Sequence, residues 1–263
     1  MFGSSQAEKP AGSKSITVIF PAYNEEQNIR GAIQRAMEAM RPRFEAFELL
    51  IIDDGSTDRT GEIAEELAKA NPANITVLHN DRNLGLGETL FRGYESAAGE
   101  LVIQNAMDSP LDLRDLDIMT PLLAEADVIV AVRKSHAGYS RYRLLTSKVN
   151  RALLRLLFRP RLRDYNYTQL YKKPVLKAAR PTSRNTIFIA PEVIIRAYEM
   201  GFRIKEVEIE YHPRLAGRAT SGKPTLIIRS LVDMSSFWLK GVFTRKGIAR
   251  VEQSAHYSSV PSK

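Results

Sequence analysis

Residues 15–26 read SITVIFPAYNEE, and residues 47–58 read FELLIIDDGSTD. In each, a run of β-branched and apolar residues stops abruptly at a polar turn, as in strands buried on both faces. Strands are therefore expected over Ser15–Phe20 and Phe47–Ile52. Between them, Ile29, Ala32, Ile33, Ala36, Met37 and Met40 recur at helical spacing and mark one apolar face. The spacing predicts a helix from about Glu25, with Asn24 as its N-cap and Glu25 and Glu26 at the positive end of its dipole.

The alternation continues outward from this pair. Ser56 or Thr57 opens a helix to about Ala70, Ile75–His79 reads as a strand, and Gly87–Ala98 as a helix. Leu101–Gln104 and Asp127–Val132 are strands flanking a helix over Leu113–Ala124. Repeated β-α units with apolar strands imply an α/β fold, with a mainly parallel sheet covered on both faces. Ligands of such sheets sit at the carboxyl ends of the strands, which is where the unusual loops fall. Beyond Val132 the expected elements are a basic helix over Arg141–Phe158, a strand over Asn166–Tyr171, a helix over Ala190–Met200 and a half-exposed strand over Ile204–Glu210. A last helix spans Thr225–Phe243. Its Ile227, Leu231, Met234 and Trp238 lie opposite Arg229, Asp233, Ser236 and Lys240, so it packs on the core or lies on a lipid surface.

The chain has 263 residues, enough for one domain with a real core. It contains no cysteine, which removes disulfides and thiolate metal sites and suits a reducing compartment. Its four histidines, His79, His136, His212 and His256, are scattered without metal spacing. No apolar run reaches the roughly 18 residues of a membrane span, and residues 1–15 lack the apolar stretch of a secretory signal. A cytoplasmic protein, peripheral at a membrane, is expected. The net charge of +8 is unevenly spread: Arg133–Arg184 holds fifteen Lys or Arg and one acid, Asp164. That stretch carries +14 and the remainder −6, so a polyanionic partner is expected. Tyr139, Tyr142, Tyr165, Tyr167 and Tyr171 are interleaved with the bases, but no RNA- or DNA-binding motif accompanies them, and nucleic acid is not an expected partner.

Three loops carry the chemistry. Pro21-Ala22-Tyr23-Asn24-Glu25-Glu26 follows the first strand. Asp53-Asp54-Gly55-Ser56-Thr57-Asp58 follows the second, and its two adjacent carboxylates repel unless a cation or a hydrogen-bond donor meets them. Asn83-Leu84-Gly85-Leu86-Gly87 leads into the third helix; it is glycine-rich without being a GxGxxG or a Walker A loop.

Together PAYNEE, IIDDGSTD and NLGLGETLFRG, with the later Glu192 in IAPEVIIRAYEMGFRIKEVEIEY and the stretch His212-Pro213-Arg214-Leu215-Ala216-Gly217-Arg218, resemble the family 2 glycosyltransferases. The resemblance runs from about Ile16 to Val242 and is greatest to the dolichol-phosphate mannose synthase branch. It implies a GT-A fold: a Rossmann-like, mixed, mainly parallel sheet in a single domain with a basic acceptor-side region. The domain is expected over residues 15–245, with a disordered tail at 1–14 and a polar tail at 246–263. It implies inverting transfer of a sugar from a nucleotide-sugar, a GDP- or UDP-sugar, to a polyprenyl phosphate. On the same resemblance Pro21, Tyr23, Glu25 and Asp53 line the base and ribose. Arg133 faces the donor diphosphate or sugar, Arg143 meets the acceptor phosphate, and Arg214 and Lys223 clamp phosphates from the late loop.

The family also carries an Asp-x-Asp triplet after the fourth strand, holding Mg²⁺ or Mn²⁺ on the donor diphosphate. The aligned residues here are Asn105-Ala106-Met107, and Met is a poor ligand for a hard cation. Three readings stand at this point. Asn105 and Asp108 hold a weakened divalent-cation site; or Arg and Lys neutralise the diphosphate; or the protein binds a nucleotide-sugar without turnover. The acceptor is likewise open. A polyprenyl phosphate needs only a cationic pocket, met at an anionic membrane surface or beside a separate membrane protein. A saccharide hydroxyl needs a carboxylate base, for which Asp164 and Glu192 are the candidates; Asp164 serves equally well to order the surrounding arginines.

Overall fold

The computed structural model describes residues 15–108, 111–135, 139–184, 186–210 and 224–257, with side chains to 241. Seven strands form one sheet in the order β3-β2-β1-β4-β6-β5-β7. They are β1 (Ile16–Ala22), β2 (Phe47–Asp53), β3 (Ile75–His79), β4 (Leu101–Gln104), β5 (Val128–Arg133), β6 (Gln169–Lys172) and β7 (Ile204–Ile209). The helices are α1 (Ile29–Met40), α2 (Thr60–Ala70), α3 (Leu86–Ser96), α4 (Leu116–Met119), α5 (Arg141–Leu157), α6 (Lys173–Ala178), α7 (Ile189–Glu199) and α8 (Pro224–Tyr257).

The strands β1 to β4 pair in parallel. β6 runs antiparallel to both β4 and β5, and β7 is parallel to β5. Two reversals cancel, so β5 and β7 point the same way as β1. The carboxyl ends of six strands therefore share one edge, and Ala22, Asp53, His79, Gln104 and Arg133 all sit on it. β1 leads to β2 on one side and neighbours β4 on the other, which makes the β1–β4 boundary a switch point with a crevice beyond the strand ends. Pro21 fits this position. Ile19 faces β4, since its carbonyl accepts from Asn105 N at 2.9 Å, so Pro21 two residues on faces the same side after β4 has ended. Its missing N–H therefore leaves no gap in the ladder.

Apolar layers lie on both faces of the sheet. One is built on Ile16, Val18, Phe20, Leu49 and Ile51 under α1 and α2. The other is built on Ile19, Leu50, Ile52, Val128 and Val130 under α3, α7 and the inner faces of α5 and α8.

Several elements differ from the sequence-based expectation. The helix after β1 starts at Ile29 and not near Glu25, and Asn24 does not cap it; Asn24 is left-handed, with φ 54°. The helix after β2 starts at Thr60 and not at Ser56 or Thr57. The single helix expected over Leu113–Ala124 is a short α4 between two 3-10 turns, the second carrying Pro121 near its start, which cannot donate in a continuing helix. The strand expected over Asn166–Tyr171 is displaced to Gln169–Lys172. Asp233, placed on the outer face of the last helix, turns inward and accepts a 2.8 Å hydrogen bond from Thr186 Oγ1. The backbone of α8 runs on to Tyr257, into the stretch read as a polar tail. Among the described residues no helix is long and apolar enough to cross a membrane. The 1–14 tail lies outside the described residues.

Candidate functional site

The first two loops are stitched together by hydrogen bonds that span more than thirty residues of chain. Asn24 N donates to Ser56 Oγ (3.0 Å), Glu25 N to Thr60 Oγ1 (2.7 Å) and Glu26 N to Asp58 Oδ2 (3.2 Å). In return Asn24 Oδ1 accepts from Thr57 N at 2.9 Å. These bonds hold Asn24 in the left-handed region, which a short polar side chain tolerates. Burial pushes the Asp58 carboxyl up, but hydrogen bonds from Thr60 and Glu26 outweigh it and hold Asp58 below the usual carboxylate range. Tyr23 stands exposed at the tip.

The adjacent carboxylates Asp53 and Asp54 are both buried, and they separate their tasks. Asp53 accepts from Ser56 N through Oδ1 and meets His79 Nδ1 through Oδ2, both at 3.0 Å. Asp54 accepts from Asn80 Nδ2 at 2.7 Å and from the backbone N–H groups of Leu84 and Gly85 at 2.9 Å. Asp54 thus ties the third loop to the second. Gly55 makes the approach closer still: at φ +67° a Cβ there would lie 2.6 Å from Arg82 Cα and 2.7 Å from Asn83 N. All three glycine- and acid-rich loops therefore converge at the β1–β2–β3 end of the edge.

His79 belongs to this group, although scattered histidines carried no weight in the sequence. Asp53 and His79 are register partners at the last positions of β2 and β3. His79 Nε2 also meets Glu65 Oε1 at 2.9 Å. The hydrogen bond to Glu65, aided by that to Asp53, raises the imidazole above its ordinary value against the opposing effect of burial. Strand register was the signal that could have found it.

A second group lies across the crevice, three strand spacings from β1, or about 14 Å. Arg133 ends β5, and its Nε and Nη2 both approach Asp164 Oδ2 at 2.8 Å. Its side chain is 12% exposed and that of Asp164 is 9%. A third nitrogen donates to the Tyr139 hydroxyl, and the guanidinium lies 5.6 Å from the Tyr139 ring centroid and 5.1 Å from that of Tyr167. Arg143, on the first turn of α5, stacks on Tyr139 at 3.9 Å. Two arginines thus share one aromatic ring, an arrangement that preserves their charge while shielding it from water. Burial works against the charge on Arg133, and Asp164 more than restores it.

Of the two carboxylates named as bases, Asp164 is held by Arg133 and by Asn166 N at 3.0 Å. Glu192 is fully buried and corrects the expectation. It accepts from Thr182 N and Oγ1, Ser183 N and Arg196 Nε, at 2.7–3.0 Å. Burial raises its carboxyl, and those donors win and hold it anionic below the usual range. It anchors the 182–183 turn to α7.

After β4, Asn105 closes its own loop. Its Nδ2 donates to Leu111 O and its Oδ1 accepts from Ala106 N, both at 3.0 Å. Met107 is 1% exposed and sits in the core layer under β1 and β4. Of the 105–107 triplet, one position is thus a neutral amide engaged in the turn and another is core. Among the described residues no three His, Cys, Asp or Glu cluster to hold a metal ion. Asn105 thus offers one neutral oxygen that already accepts in its own turn, Met107 brings no hard donor, and Asp108, the other residue expected at a cation, follows half-buried in the same loop. Arg214 and Lys223 lie outside the described residues; β7, which ends at Ile209 on the same edge, leads into their segment.

The comparisons agree with this architecture. The model of glycosyl transferase family 2 matches residues 17–178. The chain is 29% identical over 217 residues to glycosyltransferase AglD of Haloferax volcanii, covering 79% of this chain and 35% of that protein. It is 25% identical over 177 residues to the undecaprenyl-phosphate 4-deoxy-4-formamido-L-arabinose transferase of Pectobacterium carotovorum, covering 67% and 54%. The chain thus spans between a third and just over half of these relatives' length. Among solved structures it resembles glucosyl-3-phosphoglycerate synthase from Mycobacterium tuberculosis in complex with Mn²⁺, UDP and phosphoglyceric acid, with TM-score 0.62, 18% identity and coverage of 84% and 78%. It also resembles the mannosyltransferase PcManGT from Pyrobaculum calidifontis in complex with GDP-Man and Mn²⁺, with TM-score 0.59, 21% identity and coverage of 81% and 60%. At these identities the structural neighbours establish the fold, which is that of GT-A glycosyltransferases. With the matched model covering most of the ordered sheet, the chain belongs to glycosyl transferase family 2.

Proposed function

We propose that the chain transfers a sugar from a nucleoside-diphosphate sugar to a polyprenyl phosphate, with inversion at the anomeric carbon. The β1–β2–β3 loops take the nucleoside, with Pro21, Tyr23, Glu25 and Asp53 around base and ribose and Asn105 at the crevice. The Arg133–Arg143 pair faces the phosphates across it, joined on this reading by Arg214 and Lys223.

One observation carries the choice of acceptor: both carboxylates named from the sequence as bases for a hydroxyl acceptor are engaged, Asp164 by Arg133 and Glu192 by four donors. A phosphate acceptor brings its own anionic oxygen and needs no base. That oxygen attacks the anomeric carbon as the bond to the diphosphate oxygen breaks, and the electron pair leaves with the nucleoside diphosphate. No proton has to be moved. The protein's task is to hold fixed positive charge where negative charge grows, which the shielded arginines supply without reorganisation. The formamido-arabinose transferase, whose name specifies undecaprenyl phosphate, supports the same acceptor class. The Mn²⁺ and nucleotides of the structural neighbours support a nucleotide-sugar donor and make a divalent cation worth testing. On this reading the chain works at the cytoplasmic face of a membrane, alone or beside a separate membrane protein.

The test is a panel of labelled nucleotide-sugars incubated with polyprenyl phosphate and extracted into organic solvent. Lipid-soluble label is expected, lost in Arg143→Ala while nucleotide affinity persists. Retention of label in EDTA and in Asp108→Ala assigns the diphosphate charge to the arginines. Water-soluble product from a saccharide acceptor would overturn the acceptor class. A second reading, nucleotide-sugar binding without turnover, is favoured by the core position of Met107. It predicts calorimetric binding with no product in any arm.

A further inference from the structure

Helix α5 is oddly placed for a helix of a folded domain: of its 17 residues only Leu154 is buried. Its exposed residues are not those of a solvated face. Tyr142, Leu145, Val149, Ala152 and Leu156 follow one another at intervals of three, four, three and four, so they form a single stripe. Leu145 is 62% exposed and Leu156 is 78% exposed. Beside the stripe, at seven-residue intervals, runs a row of exposed bases, Arg141, Lys148 and Arg155. No acid occurs anywhere in the helix.

The neighbouring helix repeats the pattern. Phe158, at the end of α5, packs against Phe237 of α8 with ring centroids 5.7 Å apart, and Phe237 against Phe188 at 5.8 Å. This aromatic cluster and Met234 are the inward anchor. Outward, Ile228, Val232 and Leu239 line one exposed face, and Trp238 stands at its border. Two adjacent helices therefore each bury one side and leave an apolar stripe outside.

We infer that the outer faces of α5 and α8 dock on an anionic lipid bilayer, with the apolar stripes at the boundary of headgroups and acyl chains and the Arg141–Lys148–Arg155 row against the anionic headgroups. Charge selects this occupant over a second copy of the chain. The seven-residue repeat would suit a coiled coil, but an antiparallel pair of α5 helices would set bases against bases, and a parallel pair offers the row no acid. An anionic bilayer satisfies both halves of the surface, apolar contact for the stripe and counter-charge for the row. Tyr142 and Trp238 carry the apolar body and polar tip that suit such a boundary. The inference rests on exposure and charge, and stands apart from the identity of the acceptor.

The experiment is co-sedimentation of the chain with vesicles of phosphatidylcholine, and with vesicles of an equal mixture of phosphatidylcholine and phosphatidylglycerol, both free of polyprenyl phosphate. Binding to the mixed vesicles is expected, weakened by added salt and weak on phosphatidylcholine alone. Removing one base, Lys148→Gln, is expected to weaken it about fivefold. The double substitution Leu145→Asp with Leu156→Asp is expected to weaken it tenfold or more, with thermal unfolding and nucleotide affinity unchanged. Because both leucines already face solvent, the double variant should fold; Leu145→Gln is the gentler variant if it does not. Equal binding to both vesicle types, no binding to either, or binding insensitive to these substitutions would overturn the inference. So would a dimer in analytical ultracentrifugation that Leu145→Asp dissolves, since α5 would then be covered by its own copy. No arm requires acceptor or turnover, so failure here leaves the proposed reaction standing, and the reverse also holds.

Discussion

Replacing Asp164 by Ala leaves Arg133 as a buried guanidinium without its carboxylate. Both side chains are about nine-tenths buried and two of the guanidinium nitrogens lie 2.8 Å from one carboxylate oxygen. Breaking such a pair from one side costs about 3–5 kcal/mol, because the remaining charge is neither hydrated nor compensated. Arg133 would keep the Tyr139 hydroxyl and the faces of Tyr139 and Tyr167, so the lower end, about 3 kcal/mol, is expected. For a domain of this size that is a drop of roughly 6–12 °C in Tm. The companion variant Asp164→Leu with Arg133→Met removes both charges and should recover most of the loss, since well-packed apolar residues replace buried ion pairs at little cost. Urea unfolding of the wild type, Asp164→Leu, Arg133→Met and the double variant completes the cycle, and a coupling of about 2 kcal/mol or more is expected. A loss below about 1 kcal/mol for Asp164→Ala, or strictly additive single effects, would refute the view of Asp164 as the partner that orders Arg133. Kinetics separate the remaining alternative. As an ordering residue, Asp164→Asn raises KM for the anionic substrates and leaves the shape of the pH–rate profile alone; as a general base, its loss removes the acidic limb of that profile.

Two further outcomes test the loop cluster. His79 is raised above its unfolded value by Glu65 and Asp53, so its contribution to stability is complete below about pH 6.5 and is lost as pH rises through the higher folded value. Its side chain is 44% exposed and solvent screens the pair, so the effect is under about 1 kcal/mol; urea unfolding should show His79→Gln weaker than wild type near pH 6 and equal to it near pH 9, and an identical gap at both would remove the ion-pair account. At Gly87 a Cβ would lie 2.6 Å from the Arg184 carbonyl carbon and 2.7 Å from Thr186 O, both backbone. Gly87→Ala should therefore destabilise by about 2 kcal/mol, against the roughly 1 kcal/mol that alanine normally gains over glycine in a helix; a stabilised variant in thermal unfolding would mean that α3 does not seat on the 184–186 backbone.

The strands were legible because the signal for a buried strand is local. SITVIF and FELLII announce themselves by composition, and the α1 face Ile29–Met40 by spacing, with Ile29, Ala32, Ile33, Ala36, Met37 and Met40 all buried as the periodicity requires. What escaped was decided by partners far away in the chain. Asn24 looked like a cap for the helix just after it, yet its side chain serves Thr57, thirty-three residues on, and that bond sets its backbone. Nothing near Gln169–Lys172 says that β6 enters between β4 and β5, because insertion depends on which edge is free once β1 to β4 have paired. The isolated acid is the most instructive case. Alone among fifteen bases, Asp164 draws attention as a catalytic carboxylate. The same isolation gives physical weight to the other reading, an acid that orders the arginines. An anion surrounded by guanidinium groups is captured by whichever of them is buried with it, because desolvation strengthens attraction where water cannot screen it. Arg133 is the one that ends a central strand under Tyr139 and Tyr167, and it is Arg133 that holds the acid. A lone opposite charge in a charged segment therefore points first to the cation it orders. In this chain that cation stands at the carboxyl edge of the sheet, where the proposed reaction would have to meet phosphate charge.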